Sequence, residues 1–186
     1  MTNNEIDADF VTTWAAKYPP GADDHVLNDI HPTVRAREYF TMAEAEDVIE
    51  WKSKRSITFL RRNEPEDVEA ITKLALLAPE HLAHRVLLSL EGVQVPVASA
   101  LLTIARPETF TVFDVLAMRT LRAHKEWGPT RPPYAEYLNT CRGIADRCGT
   151  NLRTLDRALW AWGRADKRGT AVPPVRPETG TEDGSG

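Results

Sequence analysis

The 186-residue chain contains only two cysteines, Cys141 and Cys148. That is too few for a disulfide framework or, by themselves, for a four-thiolate zinc or iron–sulfur site. A reducing compartment is the expectation. Long hydrophobic runs are also missing: the longest uncharged apolar stretch, Gly92 to Ala105, is 14 residues and is interrupted by Gln94 and Pro96, short of the roughly 20 residues that span a bilayer. The first ten residues are acidic and lack the basic and apolar regions of a secretory signal. A cytoplasmic protein with no membrane partner is therefore expected. Sustained strand-type alternation is nearly absent, which argues against a sheet. With 42% hydrophobic and 27% charged residues, a collagen-like or wholly disordered chain is excluded.

The charge that is present is unevenly placed. The net value is −4, yet residues 1–50 hold 11 acids against 3 bases, residues 51–170 hold 13 against 19, and residues 171–186 hold 3 against 1. The basic middle of the chain allows a polyanionic partner on one face, and a solvated arginine-rich helix surface gives the same count.

Apolar residues recur near every 3.6 positions, so the chain reads as all-α. Ile6, Phe10 and Trp14 trace a first helix that stops before the Tyr18-Pro19-Pro20-Gly21 breaker, and residues 18–40 read as an irregular connection. Thr41 and Glu44 have capping-box spacing for a helix over 42–54 with Met42, Ala45, Val48 and Ile49 inward. Pro65 opens a helix with Val68, Ile71, Leu74 and Leu77 inward, and Pro79 opens another with Leu82, Val86, Leu87 and Leu90. An apolar helix follows Pro96. Asp114 is placed to N-cap a helix carrying Val115, Met118 and Leu121. Tyr134, Tyr137, Leu138, Cys141, Ile144, Ala145 and Cys148 form one stripe ending at Gly149. Asn151 caps a last helix with Leu152, Leu155, Leu159 and Trp162 on one face and Arg153, Arg157 and Arg164 elsewhere on its surface. A single domain over 1–168, a disordered tail over 169–186 and a monomer are expected.

Chemistry concentrates in residues 79–122. The run Leu90-Glu-Gly-Val-Gln-Val-Pro-Val-Ala-Ser99, an apolar helix, and then Phe110-Thr-Val-Phe-Asp114 resembles the signature of the helix-hairpin-helix (HhH-GPD) DNA glycosylase superfamily, which includes the adenine-mismatch, endonuclease III and 8-oxoguanine glycosylases. Leu90, Gly92, Val93 and Ala98 match the Leu-Pro-Gly-Val-Gly-x-x-x-Ala hairpin, and Asp114 stands at the family's distance from it. About 25 residues carry the likeness. Trp51-Lys52-Ser-Lys-Arg55 and Arg153-x-x-Asp156-Arg157-Ala-Leu159-Trp160 are similar to a group of uncharacterised bacterial proteins with this hairpin.

The resemblance implies that Gly92, Val93, Gln94, Val95 and Pro96 approach the DNA backbone, because a tight interhelical turn offers N–H groups and a glycine admits a phosphate. It implies that Asp114 is catalytic: breaking an N-glycosidic bond develops positive charge on the sugar, which a fixed carboxylate stabilises while it orients the attacking water. The base must first leave the stack. Two hairpin positions depart from the pattern, Glu91 for proline and Gln94 for the second glycine. Pro96 stands where strand-cutting members carry their lysine, and it has no amine for a Schiff base. The implied enzyme is a monofunctional glycosylase using water. Cys141 and Cys148 have the spacing that opens the cluster motif of some members, but two further ligands are missing, so they read as core residues, with no cofactor and no metal expected.

Further candidates come from the residues themselves. Trp51 with Lys52, Lys54 and Arg55 can stack a flipped base and hold flanking phosphates, or be a core tryptophan with cations at a helix C-terminus. Arg153, Arg157 and Arg164, with Asp156 beside them, can face phosphates or solvent. Three functions follow: a monofunctional DNA glycosylase; a non-catalytic nucleic-acid-binding or adaptor module that retains the fold; and a helical protein-interaction domain, in which Arg153, Arg157 and Arg164 would pair with acids of the first fifty residues.

Overall fold

The computed structural model describes residues 5–128 and 133–167, and among these every regular element is a helix. In chain order they are α1 (Ala8–Ala15), a π-helical turn (His25–Ile30), α2 (His31–Arg37), α3 (Met42–Ser53), a 3-10 turn (Lys54–Ser56), α4 (Ile57–Leu60), α5 (Pro65–Leu77), α6 (Glu80–Leu87), α7 (Val95–Ala105), α8 (Val115–Ala123), α9 (Tyr134–Arg147) and α10 (Leu152–Lys167). The expected tail over 169–186 lies outside the described residues.

Side-chain caps fix the starts of several helices, because the first amides of a helix have no partner within it. Asp7 accepts from the Phe10 amide at 2.9 Å for α1, and Thr41 and Glu44 form the complete capping box of α3. Asp114 accepts from the Leu116 amide at 2.7 Å for α8, and Asn151 accepts from the Thr154 amide at 2.8 Å.

The apolar α7 is the centre of the molecule: every residue from Val97 to Ala105 is buried. Helices α2, α3 and α6 pack around it, while α10 packs on α1 and α8. Gly163 lets the last of these contacts close up, since a Cβ there would stand 2.3 Å from the Leu116 carbonyl oxygen of α8.

Four expectations are corrected. Residues 18–40 are not an irregular connection throughout but contain the π-helical turn and α2, whose His31 ring nitrogen lies 2.7 Å from the Ile104 carbonyl at the end of α7. Helix α5 is rotated from its predicted stripe. Leu74 and Leu77 are exposed, while Thr72, Ala75 and Leu76 turn inward because the Thr72 hydroxyl receives the Phe40 amide. Val115 is exposed, and Ala117, Thr120 and Leu121 are the inward residues of α8. Arg153 is buried rather than on the surface of α10.

Candidate functional site

A cavity of about 240 Å³ lies between the 18–22 loop, the end of α3, the segment before α8, and one face of α10. Arg153, Asp156, Trp160 and Arg164 follow one another at helical spacing along that face and all line it. The volume is just under the roughly 300 Å³ at which ligand clefts usually begin, so it takes one ring system rather than a whole cofactor.

Asp114 reaches this cavity from a rigid mount. The chain from Phe110 to Phe113 is held extended: the Tyr134 and Tyr137 hydroxyls donate to the Thr111 and Val112 carbonyls, each at 2.9 Å, and the Phe113 amide donates to the Ser99 hydroxyl of α7 at 2.8 Å. Both carboxylate oxygens of Asp114 have partners, Oδ1 the Leu116 amide and Oδ2 the Lys52 ammonium. Lys52 and Asp114 are only 11% and 14% exposed at their side chains, so this pair is less screened than a surface ion pair.

Trp51, the residue before Lys52, presents its ring to the same space. The Arg153 guanidinium carbon stands 5.2 Å from the Trp51 ring and 5.4 Å from that of Tyr18. Tyr18 meets Trp160 edge to face at 5.3 Å, and Arg164 lies over Trp160 at 4.9 Å. The walls are therefore aromatic faces interleaved with guanidinium groups, an arrangement that suits a planar ring.

Behind the walls sits a buried charge network. Arg153 bridges Asp23 and Asp156, and Arg157 holds Asp23 with two further hydrogen bonds at 2.9 Å and one at 3.1 Å. Burial acts to raise the Asp23 pKa, but the Arg153 charge and the hydrogen bonds from both arginines outweigh it and hold the carboxyl below its ordinary value. For Asp156 the balance is reversed: burial dominates over the charges of Arg153 and Lys52, and its pKa is pushed up to about 6.

Of the residues singled out from the sequence, Trp51, Lys52, Asp114 and Arg153 line the one cavity. Arg157 is half-buried and engaged with Asp23, outside the lining, and Arg55 is exposed on the 3-10 turn. The hairpin segment serves packing first. Gly92 has φ +80°, and a Cβ there would lie 2.7 Å from the Leu60 amide nitrogen and 2.8 Å from the Ser56 carbonyl. The room its missing side chain leaves is thus filled by protein. The amides of Glu91 and Val93 are engaged by Asn63 and by the Leu90 carbonyl, and Val93 is buried. Gln94 is exposed, and Val95 and Pro96 are half-buried at the start of α7.

Sequence reasoning missed Tyr18 and Asp23 as site residues, weighed Arg164 only as part of a phosphate-facing strip, and gave Asp156 and Trp160 no role in a site. For the last three a signal existed, since they share a helix face with Arg153. Tyr18 and Asp23 belong to a stretch without periodicity, and only the fold brings them to α10.

The cysteines do not border the cavity. Cys141 is buried on α9, where burial pushes its thiol up to about 12, and Cys148 is half-buried with its sulfur 3.5 Å from the Ile6 carbonyl. Among the described residues no group of three or more His, Cys, Asp or Glu side chains is placed to hold a metal ion, and no helix is long and apolar enough to cross a membrane. No family model, no curated protein and no solved structure matches the chain.

Proposed function

We propose that the protein is a monofunctional DNA glycosylase of the helix-hairpin-helix type, which hydrolyses the N-glycosidic bond of a flipped damaged or modified base. The observation that carries the reading is the place of Asp114: it opens α8 at the family's distance from the hairpin and borders a cavity walled by Trp51, Tyr18 and Trp160, whereas its ion pair with Lys52 counts on the side of a non-catalytic chain. A base stacked on these rings would bring its sugar toward the carboxylate, whose charge stabilises the cationic sugar as the bond to nitrogen lengthens. Each carboxylate oxygen has two acceptor sites. With one partner on each oxygen, Asp114 keeps acceptor capacity for a water molecule, and Lys52 and the helix N-terminus fix the direction in which the carboxylate faces.

A second reading is favoured by the basic side chains that are already occupied. Arg153 and Arg157 are tied to Asp23, an acid of the first fifty residues, and the hairpin glycine packs on protein. On this reading the chain is the helical protein-interaction domain, with no nucleic-acid role, and the cavity is a relic of the fold.

Binding to a duplex that carries a cationic abasic-site mimic separates the two, because that ligand resembles the charged transition state whichever base is removed. Asp114→Asn is the suitable variant, since asparagine caps a helix about as well as aspartate while deleting the charge. The glycosylase reading expects the mimic to bind at least 100-fold tighter than plain duplex and the preference to vanish in Asp114→Asn. Equal, salt-sensitive binding of both duplexes by both proteins leaves a non-catalytic nucleic-acid-binding or adaptor module. Absence of any binding overturns the glycosylase reading and supports the protein-interaction domain.

A further inference from the structure

We propose that Asp156 is a second catalytic residue of this cavity, the acid that delivers a proton to the departing base. The inference rests on the glycosylase reading and adds a partner to Asp114.

Asp156 lines the same cavity as Asp114 but is held differently. Its side chain is 5% exposed. Its Oδ2 accepts from Arg153, while Oδ1 accepts no hydrogen bond from any described residue. Charged and titratable groups act on it from every neighbouring element: Arg153 on α10, Lys52 on α3, Asp114 at the start of α8, Tyr18 on the loop, and Tyr134, Tyr137 and Cys141 on α9, with Asp23 sharing its Arg153 partner. Burial and the charge of Asp114 favour its neutral form, Arg153 and Lys52 oppose them, and the result is a value of about 6. A carboxyl group poised there carries a proton in a useful fraction of molecules near neutrality, which is the requirement for a general acid.

Two carboxyl groups in one cavity, one tied to an ammonium and a helix N-terminus and the other held by Arg153 at greater depth, divide acid and base work between them. Cleavage of the bond between C1′ and the base nitrogen leaves the electron pair on the base. The Asp156 O–H gives its proton to a ring nitrogen, so the base departs neutral. Water adds its oxygen to C1′ and passes a proton to Asp114. The products are the base and the C1′ hydroxyl of the sugar, and exchange with solvent returns each carboxyl group to its starting state.

The test uses the full chain, a panel of duplexes each carrying one modified base, and the duplex with the cationic mimic. For the uncharged base that the wild type releases, kcat should fall above about pH 6. Asp156→Asn should lower kcat by 10²- to 10⁴-fold, abolish that pH dependence, and leave affinity for the mimic within about threefold. Asp156→Glu, which keeps an acid, should recover part of the rate with a displaced pH limb, and it serves as the second variant if the asparagine protein does not fold. A purine carrying a fixed positive charge at N7 needs no proton to leave, and its release should be slowed by Asp156→Asn far less than that of the uncharged base. Release by the wild type with an unchanged rate and pH limb in Asp156→Asn overturns the role of Asp156 and spares that of Asp114. No release of any base by the wild type, with no preference for the mimic, overturns the glycosylase reading and this inference together.

Discussion

Asp114 and Asp156 are the same residue type in one cavity, and their surroundings set them apart. Asp114 is also a helix cap, so its two roles separate by substitution. Asp114→Ala should cost about 1 kcal/mol more than Asp114→Asn in urea unfolding, although both remove the charge that meets Lys52. Asp156 gives a pH signature of definite sign. Its folded value, about 6, lies above its ordinary 3.8, so the folded state holds the extra proton between these values. The stability this contributes is present at low pH and lost as pH rises through about 6. The unfolding free energy of the wild type minus that of Asp156→Asn should therefore fall by on the order of 2 kcal/mol from about pH 4 to about pH 7. Asp23 works in the opposite direction: its lowered pKa makes a contribution that is present near neutrality and lost on acidification below its ordinary 3.8.

At the scale of elements, the fastening of the Phe110–Phe113 segment decides where Asp114 points. Tyr137→Phe removes the hydroxyl that holds the Val112 carbonyl. It should cost about 1–3 kcal/mol and weaken affinity for the cationic mimic, as measured by titration against the wild type. Gly163→Ala should cost about 1–3 kcal/mol in chemical unfolding, because the added methyl meets the Leu116 carbonyl where α8 and α10 touch. Much of this level was legible beforehand. The capping box at Thr41, the Asp114 and Asn151 caps and the stripes of α9 and α10 followed from short-range spacing, which local hydrogen bonding and burial enforce. The face of α5 did not, because a single long-range bond from Phe40 to Thr72 turns it. Nor did α2, whose start in a π-helical turn with Pro32 has no apolar period to read.

Across the whole molecule, part of the asymmetry of charge along the chain is spent internally. The acidic first fifty residues reach the basic remainder through Asp23 on Arg153 and Arg157, through Glu5 on Arg147 and through Glu46 on Arg61. That Arg153 and Arg157 pair with an acid of the first fifty residues is what the protein-interaction reading expected, but which acid was not legible, because no local spacing says which acid meets which arginine. The Asp23 contacts are the buried ones, and removing one side leaves two guanidinium groups without their shared anion. Asp23→Asn should accordingly destabilise by about 3–5 kcal/mol and alter the fluorescence of Trp51 and Trp160, whereas Glu46→Gln, whose partner Arg61 is exposed, should change stability by less than about 1 kcal/mol. Thermal unfolding of the two variants checks both. Arg153 belongs at once to the clamp on the loop and to the carboxyl group in the cavity. Positions 23, 153 and 156 therefore share one guanidinium, and a change at any of them alters what the other two must be. In a lineage descending from this chain the three would drift together or stay fixed together, so the freedom to retune the cavity is limited by what keeps the loop closed.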